Sequence, residues 1–133
     1  MDVDARKYSE QQIQIAAVHH FKALEAVKKN FTFFAVPNGG KRDKREASLL
    51  KAMGVRPGVH DLVFLLAGGK TVLIEMKAEE GWLSASQEEF HGTATALGHR
   101  SYTVTASLPV QAINEIYRIL GENGYEHDQG RKA

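Results

Sequence analysis

The sequence predicts an α/β sandwich, a central mixed β-sheet flanked by helices. Two capping boxes open helical segments, two strands are apolar on both faces, and helices and strands alternate along the chain. The chain has 133 residues, a formal charge of +1 and no cysteine. That length fits one domain, burying about two thirds of its unfolded surface. Without cysteine there is no disulfide scaffold, no zinc ribbon and no thiol catalysis. No apolar run reaches the ~18 residues of a membrane helix. The polar opening Met1-Asp2-Val3-Asp4-Ala5-Arg6-Lys7 lacks the apolar stretch of a signal peptide, so no membrane partner and a cytoplasmic location are expected. With so little net charge, contact with nucleic acid has to come from a local patch.

Residues 9–28 are predicted as the first helix: Ser9 and Gln12 read as a capping box, and Ile13, Ala16, Ala17, Phe21, Leu24 and Val27 recur at helical spacing. Residues 31–36, aromatic and β-branched, are predicted as a buried strand that Pro37-Asn38-Gly39-Gly40 stops. Residues 43–53 fit a short helix. Residues 59–78 read as a β-hairpin whose strands, Asp61-Leu62-Val63-Phe64-Leu65-Leu66 and Thr71-Val72-Leu73-Ile74-Glu75-Met76-Lys77, sit mid-sheet and are covered on each side. Ser84 with Gln87 opens a helix to about Leu97, and Gly98 ends it. A strand over 101–105 and a helix over 109–120, with Pro109 in its first turn, complete the order. Beyond Gly121 the polar, aperiodic chain predicts a frayed tail, so the ordered core of this single domain is expected over about residues 8–121.

Three ionisable residues, Asp61, Glu75 and Lys77, stand in those apolar strands. Unpaired buried charge costs several kcal/mol, so they must pair, bind a cation or sit at an opening. Strand alternation puts Glu75 and Lys77 on one face. The hairpin loop decides where Asp61 falls. A three-residue Ala67-Gly68-Gly69 loop opposes Leu66 to Lys70 and Asp61 to Glu75, with Cβ atoms roughly 4.5–5.5 Å apart, close enough to share one hard cation. A two-residue Gly68-Gly69 loop sends Asp61 to the other face. Two carboxylates beside a lysine suit phosphodiester hydrolysis: the acids hold Mg²⁺ or Mn²⁺, and the ammonium neutralises charge at the attacking water or the pentavalent centre. The bland alternative is a Glu75–Lys77 pair on a solvated face with Asp61 in a turn.

The blocks Gly58-Val59-His60-Asp61-Leu62-Val63-Phe64, Ile74-Glu75-Met76-Lys77-Ala78 and Gly81-Trp82-Leu83-Ser84-Ala85-Ser86-Gln87 closely resemble the virus-type replication-repair nuclease (VRR-NUC) branch of the PD-(D/E)XK nucleases. The resemblance runs from Glu10 through Pro37-Asn38-Gly39 to about Tyr102. It implies a restriction-endonuclease-like core and a metal-dependent DNA endonuclease with Asp61, Glu75 and Lys77 catalytic. It further implies the Met76 carbonyl as a metal ligand, with Glu10 and Gln87 at polar positions flanking the site. His60 stands where the family usually has proline. Alternation sends His60 away from Asp61 unless the strand bends. Small stand-alone members of this branch look like homodimers acting on branched DNA such as Holliday junctions, and the resemblance carries both expectations here.

The flanking residues also have local readings. Glu10 suits the helix dipole, or supports the metal by holding its ligands or its water without touching it directly. Gln87 serves the Ser84 box, or contacts metal-bound water or phosphate as part of the catalytic set. Asn38 is a turn residue or a substrate contact. Between Lys41 and Arg56, the basic residues Lys41, Arg42, Lys44, Arg45, Lys51 and Arg56 outnumber Asp43 and Glu46. Such a run is a solvated face by default, and beside a phosphodiesterase site it becomes a DNA-binding surface. Trp82 is read as core ahead of a subunit contact or a base-stacking wedge. His19, His20, His91 and His99 show no metal-ligand spacing and are read as surface or packing residues. The alternatives to a junction-selective nuclease are a nuclease of flap or linear ends and a non-catalytic nucleic-acid-binding module of the same fold.

Overall fold

The computed structural model describes residues 7–37 and 42–126. The elements run α1 (Glu10–Lys28), β1 (Phe31–Ala35), α2 (Lys44–Ala52), β2 (Leu62–Leu66), β3 (Lys70–Ala78), α3 (Ala85–Ala96), β4 (Arg100–Ala106) and α4 (Pro109–Glu122). Both predicted capping boxes form: the Ser9 hydroxyl accepts from the Gln12 amide, the Ser84 hydroxyl from the Gln87 amide, and each glutamine reaches back to the cap. Among the described residues no helix is long and apolar enough to cross a membrane.

The sheet order is β1-β2-β3-β4, with β3–β4 parallel and the other pairs antiparallel. Leu66 opposes Lys70 across a three-residue turn over Ala67–Gly69, in which Gly68 takes a left-handed φ of 80°. That is the odd-loop register, and it places Asp61, one residue before β2, opposite Glu75. One sheet face is closed by α1 and α4: Phe64 and Val72 are fully buried, and Phe21 of α1 meets Phe64 edge to face at 5.6 Å. Burying such a phenylalanine contributes roughly 1.5–3 kcal/mol.

Four expectations are corrected. The strand β1 is an edge strand rather than a buried one, and Phe34 is 50% exposed because it points to the face away from α1. That second face is covered only in part by α3, which leaves Leu65 40% exposed. Trp82 is not core: a turn in which the Gly81 amide donates to the Ala78 carbonyl carries it off the sheet, 88% exposed. Packing continues past Gly121, where Tyr125 meets Phe31 edge to face and buried Asn123 donates to the Ile119 carbonyl and the Tyr102 hydroxyl.

Candidate functional site

Asp61, Glu75 and Glu10 converge at the end of the sheet where α1 begins. Their carboxylates each offer an oxygen within 4.8 Å of the others. The Asp61 backbone is fixed because its carbonyl accepts the Val36 amide at 2.9 Å, and its side chain accepts the Met76 amide at 2.7 Å. Glu10, in the first turn of α1, accepts the Ala78 amide at 3.4 Å. Lys77 follows on the same face of β3 as Glu75, and its charge favours the Glu75 carboxylate. An open groove of about 730 Å³, lined by Glu10, Gln14, His19, Lys22, Pro37 and Asp61 among others, leads to the cluster.

Glu75 is 1% exposed. Burial first, then the negative charge of Asp61 and its hydrogen bond, with Glu10 adding, push its carboxyl up to about 8 against the pull of Lys77. Its Oε2 accepts from Gln87 Nε2 at 2.9 Å, while Gln87 Oε1 caps α3 at the Ser84 amide. One glutamine therefore performs the local cap and holds the acid.

The histidines depart from their sequence reading. His91, 7% exposed on α3, sets Nε2 3.4 Å from Glu75 Oε1. The signal was available: Gln87 and His91 lie four apart on one helix, so a helix that aims one at Glu75 aims the other. His60 is fully buried on the Glu75 face of the sheet, because it precedes β2 and strand alternation does not reach it. Its ring stacks on His91 with centroids 3.8 Å apart, and its Nε2 pairs with Ser101 Oγ at 2.6 Å. Burial holds His60 down to about 4 and also lowers His91. Gly58 permits this approach: a Cβ there would lie 2.2 Å from the Ser86 carbonyl oxygen. His20 is a packing residue as read, paired with the Tyr117 hydroxyl at 2.7 Å.

Of the basic run, Arg42, Lys44, Arg45 and Lys51 line or precede α2, which buries no residue, and Arg56 lays its guanidinium over the Phe90 ring at 5.0 Å. Asn38 and Lys41 lie outside the described residues.

Three carboxylates held together against their own repulsion, with Glu75 Oε1 buried and without a hydrogen bond, are a donor set that fits a hard divalent cation. No family model and no curated protein matches the sequence. In structure, the chain is similar to one solved protein described as "VRR_NUC domain protein", with a TM-score of 0.64 and 16% identity over 87% of this chain and 91% of that one. It is also similar to a second, described as "VRR_NUC domain", with a TM-score of 0.54 and 16% identity over 89% of this chain and all of that one. Taken with the mixed sheet and its flanking helices, these likenesses show that the chain has the fold of a VRR-NUC domain.

Proposed function

We propose that the chain is a divalent-cation-dependent endodeoxyribonuclease selective for branched DNA, working as a cytoplasmic homodimer. The observation that carries the reading is the meeting of Glu10, Asp61 and Glu75 beside Lys77 on a nuclease fold. Glu10, Asp61, Glu75 and the Met76 carbonyl would hold Mg²⁺ or Mn²⁺. When bound, the cation supplies Lewis-acid polarisation of the scissile phosphate and acidifies water nearby. The chain's own groups do the rest. Asp61 is oriented by the Met76 amide and Glu75 by Gln87, so the acids enter the reaction already placed. Water attacks phosphorus directly, with no covalent intermediate: as the new P–O bond forms one ester P–O bond breaks, the water's proton passes to solvent and the departing sugar oxygen leaves as a hydroxyl protonated from solvent, while the Lys77 ammonium neutralises the charge growing on the phosphoryl oxygens. Arg42, Lys44, Arg45, Lys51 and Arg56, with Lys41 and Asn38, form the phosphate-holding surface.

A twofold dimer presents two such sites to opposed strands, which suits a four-way junction. The test is cleavage of junction, flap, splayed and linear DNAs by the purified protein with Mg²⁺, with Mn²⁺ and with EDTA. Paired symmetric nicks in the junction are expected. Cleavage confined to flaps or ends overturns the substrate, and binding without cleavage under any cation overturns the enzyme.

A further inference from the structure

Behind the three acids lies a second layer that neither the cation nor the substrate needs to touch. Glu75 is a flexible side chain on a strand, and Gln87 restrains only its Oε2. Oε1 faces His91 Nε2 at 3.4 Å, and both atoms are buried without a hydrogen bond. Leaving such atoms unsatisfied costs about 1–3 kcal/mol each, so the surroundings must hold them there. The restraint is visible: His91 hydrogen-bonds the Gly58 backbone, and its ring lies on His60, 3.8 Å apart and 21° from parallel. His60 in turn is fully enclosed, pinned at Nε2 by Ser101 of β4 and met edge to face by Phe90 at 5.8 Å. The loop before β2, the helix α3 and the strand β4 thus converge on one oxygen of β3.

We propose that His60 and His91 form a stacked positioning pair that fixes the Glu75 carboxylate and thereby sets the affinity of the acidic cluster for its cation. The inference rests on the cation-holding role of Glu75 proposed above. His91 Nε2 closes its gap to Oε1 once the carboxylate is engaged, as hydrogen bonds in unliganded sites commonly do. His60 never reaches the cation and acts through the ring of His91. Partners that orient a ligand in this way are typically worth about 10–100-fold in metal affinity.

The test is calorimetric titration of Mn²⁺ into the metal-stripped full chain, with thermal melts in EDTA beside it. Volume-matched variants keep the buried site filled: His60→Phe retains a ring, His60→Leu removes it, His91→Gln retains a donor, and His91→Leu removes it. The expected result is Mn²⁺ affinity near wild type for His60→Phe, about tenfold weaker for His60→Leu, and about 10–100-fold weaker for His91→Leu with partial rescue in His91→Gln. All should melt cooperatively in EDTA. Equal affinity in all four variants overturns the pair. So does a His91→Leu loss as large as that of Glu75→Ala, which would make His91 a ligand itself. A wild type that binds no Mn²⁺ overturns the cation site as well, whereas Mn²⁺ binding without DNA cleavage overturns the nuclease reading and leaves the pair standing.

Discussion

The carboxylate of Asp61 accepts a 2.7 Å hydrogen bond from the amide of Met76, the residue between Glu75 and Lys77 on the neighbouring strand. The acid that precedes one strand is thus locked to the strand carrying the other two groups. The hairpin presents Asp61, Glu75 and Lys77 as one rigid unit, to which α1 adds Glu10 and α3 adds Gln87 and His91.

Removing either hairpin acid should abolish the chemistry and spare the binding. Asp61→Ala and Glu75→Ala are each expected to lower cation-dependent cleavage by about 100-fold or more, while gel-shift affinity for DNA in EDTA stays near wild type. Cleavage by either variant near the wild-type rate would refute its assignment.

Lys77→Ala separates charge neutralisation from cation holding. Cleavage should fall by about 100–1,000-fold with Mn²⁺ affinity nearly unchanged, because the ammonium offers no lone pair to a metal. A matched loss of Mn²⁺ affinity would count against this role.

For the basic run, replacing Lys41, Arg42, Lys44 and Arg45 together by alanine should weaken DNA binding and flatten its salt dependence. Each lost phosphate contact removes roughly one unit from the log–log slope. An unchanged slope would make the run a solvated face only.

Stability of the metal-free protein should fall as pH rises from 6.5 to 8. Glu75 is raised from 4.5 to about 8, so the folded state keeps a proton that the unfolded state has released. The stability this contributes is complete below 4.5 and is lost as pH rises through about 8. His60 and His91, lowered from 6.5, act in the opposite sense and only below that value. The slope has a ceiling of about 1.4 kcal/mol per pH unit. Calorimetric melts in EDTA should show the decline, and Glu75→Gln should flatten it; a flat wild-type profile would refute the shift.

Assembly is read by light scattering, with a particle of twice the chain mass expected. The open sheet face around Phe34 and Leu65, 50% and 40% exposed, is the apolar surface a twofold contact would cover. Leu65→Glu should therefore yield monomers; a dimer that survives it locates the contact elsewhere.

Wherever local chemistry decides, the sequence was legible. Ser9 and Ser84 announced their helices because a capping box is closed within four residues, whereas the glycines of the hairpin loop left two registers open, of which the three-residue Ala67-Gly68-Gly69 turn that sets Asp61 against Glu75 is the one that forms. Long-range packing was not legible. Phe34 and Trp82 look like core residues, but their exposure depends on which strand lies at the edge and which way a turn leaves the sheet. Tyr125 sits in a polar stretch, and only its docking on Phe31 makes it part of the core. His91 joined the site through the rotation of α3, and His60 through a glycine that lets the chain touch that helix.

The helix α2 buries none of its residues. A segment with so little to lose on opening unfolds locally far more often than the sheet does, and opening is what a protease requires. Trypsin should therefore nick the native protein first at Lys44, Arg45 or Lys51, dividing it into a piece bearing Glu10 and a piece bearing the hairpin acids. Because β1 remains paired with β2, the two pieces should stay associated after the cut, and DNA seated on α2 should slow it.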